Sequence, residues 1–251
     1  MLVRLAGAGG GVWDGIWPRL AERHAVAAVD LDGPDMSLPP RVVFEAYGDV
    51  IASTADALGH RRLHVVGWNG GAHIAVAMAV LRPPTLASVT LLTPFRDVGE
   101  RRQIDIGLDV LARLLSGDRA LYAYHWFMAG FSDRFVEEHF DVIDALVRKR
   151  LGNDRFLALD VDRAMAWMRA LRRDHVTDGE LEGVDRPVLI LAAGLNRWHA
   201  GPTPAMAEAL HRLIPQSELE VFDGLGAFFP IEAAEATAAR ILRFIEREDY
   251  Q

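Results

Sequence analysis

At 251 residues, 51% hydrophobic and 25% charged, the chain has the length and composition of one globular α/β unit carrying an insertion, which excludes disordered and fibrous classes. A net charge of −8, with Lys149 the single lysine and the arginines scattered, argues against a nucleic-acid partner, because phosphate binding needs clustered cations. The absence of cysteine removes disulfides, thiolate nucleophiles and thiolate metal sites together.

The N-terminus, MLVRLAGAGGG, lacks a charged stretch followed by a long apolar one, and no apolar run reaches spanning length. A cytoplasmic protein without a membrane partner is the expectation. Six short apolar runs then read as buried parallel strands: 2–6, 25–29, 63–67, 87–92, 187–193 and 218–222. Helical spacing separates them over Trp13–Arg23, Val42–Leu58, Gly70–Leu81 and Thr203–Leu213, and Glu232–Glu246 follows the last strand. Such alternation predicts a mostly parallel sheet of about six strands with helices on both faces. Residues 97–184 break the rhythm with helical stretches alone: Asp109–Leu115, Arg119–Met128, Phe135–Lys149 and Asp160–Arg172. The chain therefore divides into a core, 1–96 with 185–251, and an all-helical lid or cap, 97–184, expected over the C-terminal edge of the sheet, where open α/β sheets bind ligands.

The stretch Gly67-Trp68-Asn69-Gly70-Gly71 lies between a strand and an apolar helix. Small residues on both sides of a strained tip are what a G-x-S-x-G turn requires to present a nucleophile. On this motif the chain resembles the α/β-hydrolase superfamily, in the lidded group that includes esterases, epoxide hydrolases, haloperoxidases and carbon–carbon bond hydrolases. Four further segments carry the resemblance: the glycine-rich run 6–11, the turn 30–37, the loop 193–199 and the segment 224–232. The resemblance implies that Asn69 stands at the nucleophile, Asn196 at the acid and Ala227 at the histidine position, a degenerate triad. It also implies that the backbone amides of Ala8 and Gly70 form the oxyanion hole.

An amide is a poor nucleophile, and without an imidazole beside it nothing activates a hydroxyl or a water. The reading drawn from these losses is a non-hydrolytic enzyme: elimination, isomerisation or cyclisation of a small apolar carbonyl compound, of the kind found in secondary metabolism, using Asn69 and the oxyanion amides. The alternatives are a ligand-binding pseudoenzyme without turnover, and a hydrolase using relocated residues, with His125 and His199 as candidate bases. Trp68, Tyr124 and Trp126 are candidate substrate contacts, while core packing of a lid helix accounts for the aromatic run 122–127 about equally well. His73 and Asp97 read as a packed histidine and a lid hinge or helix cap. No ligand-spaced His or carboxylate cluster predicts a metal. Gly7-Ala8-Gly9-Gly10-Gly11-Val12, with Asp30 beyond, imitates a dinucleotide fingerprint but puts Val12 at its third glycine and leaves the elbow unexplained, so no cofactor is expected. The chain starts at the strand before the glycine-rich loop, which leaves a sheet edge that a second copy could cover, as in a homodimer.

Overall fold

A computed structural model describes residues 2–5, 11–31, 37–97, 101–171, 175–195, 198 and 201–249. Six strands, β1 (Leu2–Leu5), β2 (Ala28–Leu31), β3 (Leu63–Trp68), β4 (Leu86–Leu92), β5 (Val188–Ala193) and β6 (Ser217–Phe222), form one sheet in the order β2-β1-β3-β4-β5-β6. Every pairing is parallel. The central strands β3, β4 and β5 are almost wholly buried, as their unbroken apolar runs require, whereas every residue of the edge strand β6 stays half-buried.

On one face α1 (Trp17–Ala21) packs against α13 (Ala234–Asp249); α2 (Pro40–Ala57), α3 (Gly70–Leu81) and α11 (Pro204–Leu213) share the other core. Helix α3 is apolar all round and almost wholly buried. Between β4 and β5 come only helices: α4 (Arg101–Gly117), α5 (Arg119–Gly130), α6 (Asp133–Glu138), α7 (Phe140–Leu151), α8 (Asp154–Leu157), α9 (Val161–Leu171) and α10 (Asp178–Glu182). Their starts are written in the sequence. Asp118 accepts from the N–H groups of Ala120 and Leu121, Ser132 and Asn153 cap α6 and α8, and Thr177 with Glu180 forms a capping box.

Local backbone chemistry shifts several expected boundaries. The second strand begins at Ala28, because β2 pairs with β1 through Leu2↔Ala28 to Leu5↔Leu31 and Ala25–Ala27 line a surface cavity instead. The helix expected over 135–149 is two, broken at His139 (φ −136°), and that expected over 232–246 breaks at Ala233 (φ −133°), leaving α12 (Phe229–Glu232) as a separate turn. Among the described residues no group of three or more His, Asp or Glu is placed to hold a metal, and no helix is long and apolar enough to cross a membrane.

The insertion closes on itself at its base. Arg96, buried just beyond β4, donates to the Val176 carbonyl (3.1 Å) and to the Asp178 carboxylate, so the entry and exit of the insertion meet. Arg41 of α2 reaches the same turn through Glu180 (2.6 Å). Beneath it, His73 is stacked between Phe44 (5.2 Å, 6°) and Phe95 (5.8 Å, 4°), with His175 edge-on to it at 5.2 Å beside a cavity of about 30 Å³.

Two predictions follow from this packing. A Cβ on Gly67 would lie 2.3 Å from the Gly71 carbonyl oxygen, so Gly67→Ala should lower stability by about 2 kcal/mol or more, read as an earlier urea midpoint at unchanged slope. Burial depresses the His175 pKa from 6.5 to about 4, against the opposing hydrogen bonds to Leu171 and Ala170. The unfolded chain thus takes a proton that the folded chain refuses, and this contribution, complete above pH 6.5, is lost as pH falls toward 4. Wild type should lose about 2 kcal/mol more than His175→Gln between pH 7 and pH 5 in urea titrations.

Candidate functional site

The turn joining β3 to α3 is a strained elbow. Asn69 sits at φ 52°, ψ −115°, its N–H donating to the Leu92 carbonyl (2.9 Å) and its carbonyl accepting from the Ala72 N–H (3.0 Å). Asparagine tolerates positive φ better than most residues with a Cβ, and Gly67 lets the strand backbone approach that of Gly71 at the start of the helix. Gly70 opens α3, where the first backbone N–H groups have no acceptor within the helix and carry the positive end of its dipole. Nδ2 of Asn69 is buried without a partner among the described residues. Beside it, at the end of β4, Thr93 has φ 49° and a buried Oγ1 in the same condition. Positive φ is an outlier for a β-branched residue, and nothing in the sequence marked this one.

Facing the elbow is the loop after β6. The Trp68 indole donates to the Ala227 carbonyl (3.1 Å), which ties the elbow to the position where the resemblance places a histidine. Ala227 is buried, and next to it Phe228 fills the space: its ring lies 5.3 Å from Trp68, 4.8 Å from Phe131, and 5.4 Å from Phe127 and from Trp198. Only glycine fits at Gly226, where a Cβ would stand 2.3 Å from the Gly130 carbonyl oxygen. Glu232 fixes the loop to the insertion by accepting from the N–H groups of Gly226 (3.0 Å) and Ser132 (3.1 Å) and from the Ser132 hydroxyl (2.5 Å). Sequence reading placed Glu232 in the family motif without foreseeing Ser132 as its partner.

Trp126 joins the same cluster: its carbonyl accepts from the Trp198 indole (2.8 Å), and the two rings lie 4.5 Å apart. The structure therefore brings Trp68, Asn69, Gly70, Ala227 and Trp126 into one region. Tyr124 lies instead on the seam between α5 and α7, donating to Asp144 (2.5 Å) and stacking on Phe140 at 6.2 Å; its pKa is raised by that hydrogen bond. His125 is half-buried on α5. Ala8, Asn196 and His199 lie outside the described residues.

A Ser-His-Asp chain does occur, at the opposite edge of the sheet. His64 Nδ1 lies 2.8 Å from the Ser88 hydroxyl and its Nε2 3.1 Å from Asp249, bordering a cavity of about 470 Å³. Burial lowers the His64 pKa against the raising effect of Asp249. Ser88, 1% exposed near the start of β4, joins with His64 and Asp249 in a clasp between two strands and the end of α13.

No family model matches the chain. It is 28% identical to a pimeloyl-[acyl-carrier protein] methyl ester esterase of Neisseria meningitidis serogroup A, over 96% of this chain and 74% of that protein. Among solved structures it resembles a bromoperoxidase from Bacillus anthracis (TM-score 0.75, 16% identity, 98% of this chain and 91% of that one). It also resembles an enol-lactonase from Burkholderia xenovorans (TM-score 0.72, 16% identity, 98% and 90%). The curated relatives correct the expectation of a non-hydrolytic lyase, isomerase or cyclase, because they are named for ester hydrolysis. That expectation took the residues that the resemblance places at the triad positions, Asn69, Asn196 and Ala227, as grounds for a different reaction class. The agreement with solved structures over nearly the whole chain, together with the parallel sheet, the elbow and the helical insertion, establishes that this chain has the α/β-hydrolase fold.

Proposed function

We propose that the protein is an esterase-type hydrolase in which water, rather than a protein hydroxyl, attacks the ester carbonyl. The observation that carries this reading is the buried Nδ2 of Asn69, without a partner among the described residues, at the tip of the elbow next to the start of α3. A side-chain N–H and the Gly70 backbone N–H are the donors that a developing oxyanion requires, and such donors are effective when fixed in place and shielded from water. Asn69, Asn196 and Ala227 then replace the nucleophile, acid and histidine of the fold's usual triad. The relatives' esterase names support the reaction class and suggest a methyl ester of an acyl chain as substrate.

In this scheme the water oxygen bonds to the carbonyl carbon, the bond from that carbon to the alkoxy oxygen breaks, and the proton lost by water passes through a base to the leaving alkoxide. His125 and His199 are the proposed bases. Each is the chain neighbour of one of the two packed tryptophans, Trp126 and Trp198. The aromatic cluster supplies an apolar, water-poor surround in which the donors gain strength.

The test is the rate of hydrolysis of short aryl and methyl esters by wild type, Asn69→Gly, His125→Ala and His199→Ala. Asn69→Gly relieves the positive φ and removes the amide, so kcat/KM should fall about 100-fold without loss of stability. Substituting the acting histidine should abolish the rise of rate with pH through the imidazole range. Full activity in all three variants, or no wild-type hydrolysis above background, would overturn the reading.

A further inference from the structure

The insertion holds a cation that has no counter-charge among the described residues. Arg150, near the end of α7, points its guanidinium into a well of four rings: Phe156 (4.8 Å), Tyr122 (5.5 Å), Trp126 (5.5 Å) and Phe127 (5.8 Å). All four rings are buried. Nε and Nη1 of Arg150 are shut off from solvent and have no hydrogen-bond partner among the described residues, and neither has the indole Nε1 of Trp126. On the other side of Phe156 stands Arg119, 5.7 Å from the ring centroid, whose nitrogens donate to the carbonyls of Phe156 (2.8 Å) and Leu159 (3.1 Å). No carboxylate among the described residues pairs with either arginine, although the chain carries a net charge of −8.

Aromatic faces attract a cation but accept no strong hydrogen bond, so they offset part of the desolvation of Arg150 and leave its N–H groups unmade. A buried donor without an acceptor costs about 1–3 kcal/mol, more for a charged group, and Arg150 and Trp126 between them carry three such nitrogens. Tyr122, Trp126 and Phe127 would hold an uncharged side chain equally well. What a guanidinium adds is planar, always-charged recognition of an oxyanion, a carboxylate or a phosphate. The well also adjoins the proposed reaction site, since Trp126 is shared between Arg150 and the Trp198–Phe228 cluster.

We infer that Arg150 and the Trp126 indole form a subsite for an oxyanion group on the distal end of the substrate. Resting on the ester-hydrolase reading, this makes the substrate an ester whose far end bears a carboxylate or a phosphoryl group. Arg150 is a binding residue, remote from the bond that breaks, and it favours charged-tail esters over neutral ones.

Thermal melting of wild type and Arg150→Met, with inorganic phosphate or hexanoate at constant ionic strength, tests the subsite directly. Arg150→Met should melt at the same temperature as wild type or higher, because replacing an unpaired buried charge by a well-packed apolar side chain removes its desolvation penalty. Phosphate or hexanoate should raise the wild-type midpoint and leave that of the variant unmoved. The stronger of the two responses identifies the group as phosphoryl or carboxylate. No rise with either anion, or an equal rise in Arg150→Met, overturns the subsite. With esters, the preference in kcat/KM for a dicarboxylic half methyl ester over the dimethyl ester should fall 10- to 100-fold in Arg150→Met. Absence of all hydrolysis would remove the hydrolase reading while the melting result still decided the anion site.

Discussion

The structure turns on one close approach, that of the β3 backbone to the first turn of α3. With no Cβ at Gly67, the Gly71 carbonyl can come within a distance that any side chain would block, and the chain is forced into the sharp reversal that puts Asn69 at positive φ. The rest of the site is arranged around that reversal. The Trp68 indole, carried just ahead of it, holds the Ala227 loop; that loop seats Phe228 against the end of α5, and Glu232 locks the joint. The sheet, the last loop and the helical insertion thus meet at a point determined by Gly67.

Much of this frame was legible in residue pattern. The central strands announce themselves as unbroken apolar runs, and Gly70–Leu81 reads as a helix with its observed bounds because its small and apolar residues persist for three turns and stop at Arg82 in the left-handed region. Elements whose limits depend on distant partners were less legible. The start of β2 is set by its register with β1, and the break at His139 divides a stretch that local spacing reads as one helix. Propensity is local, whereas these boundaries are decided across the sheet or within the insertion.

The candidate site was legible in outline for the same reason. Asn69, Gly70 and Ala227 could be located because the elbow and the final loop have short sequence signatures. Thr93 and Ser132 could not, since a threonine at positive φ and a serine whose partner lies a hundred residues away look ordinary in one dimension. Arg148, Lys149 and Arg150 form a basic run at a helix end, a pattern that in one dimension reads as solvated; the two neighbours are exposed, while the Arg150 guanidinium turns inward onto four rings found only by folding the insertion. Reading chemistry from position alone also misled: the residues that the resemblance places at the triad positions suggested a non-hydrolytic reaction, whereas the relatives are named as esterases.

The clasp at the base of the insertion has an architectural consequence. Because Arg96 binds Val176 and Asp178, the chain leaves the core and returns to it through nearly the same point, and the intervening helices form a closed excursion rather than a bridge between distant parts of the sheet. A core built this way tolerates exchange of the whole excursion for another of different length or composition without any change of strand order. The clasp is the seam along which one scaffold could acquire a different cover and, with it, a different chemical clientele.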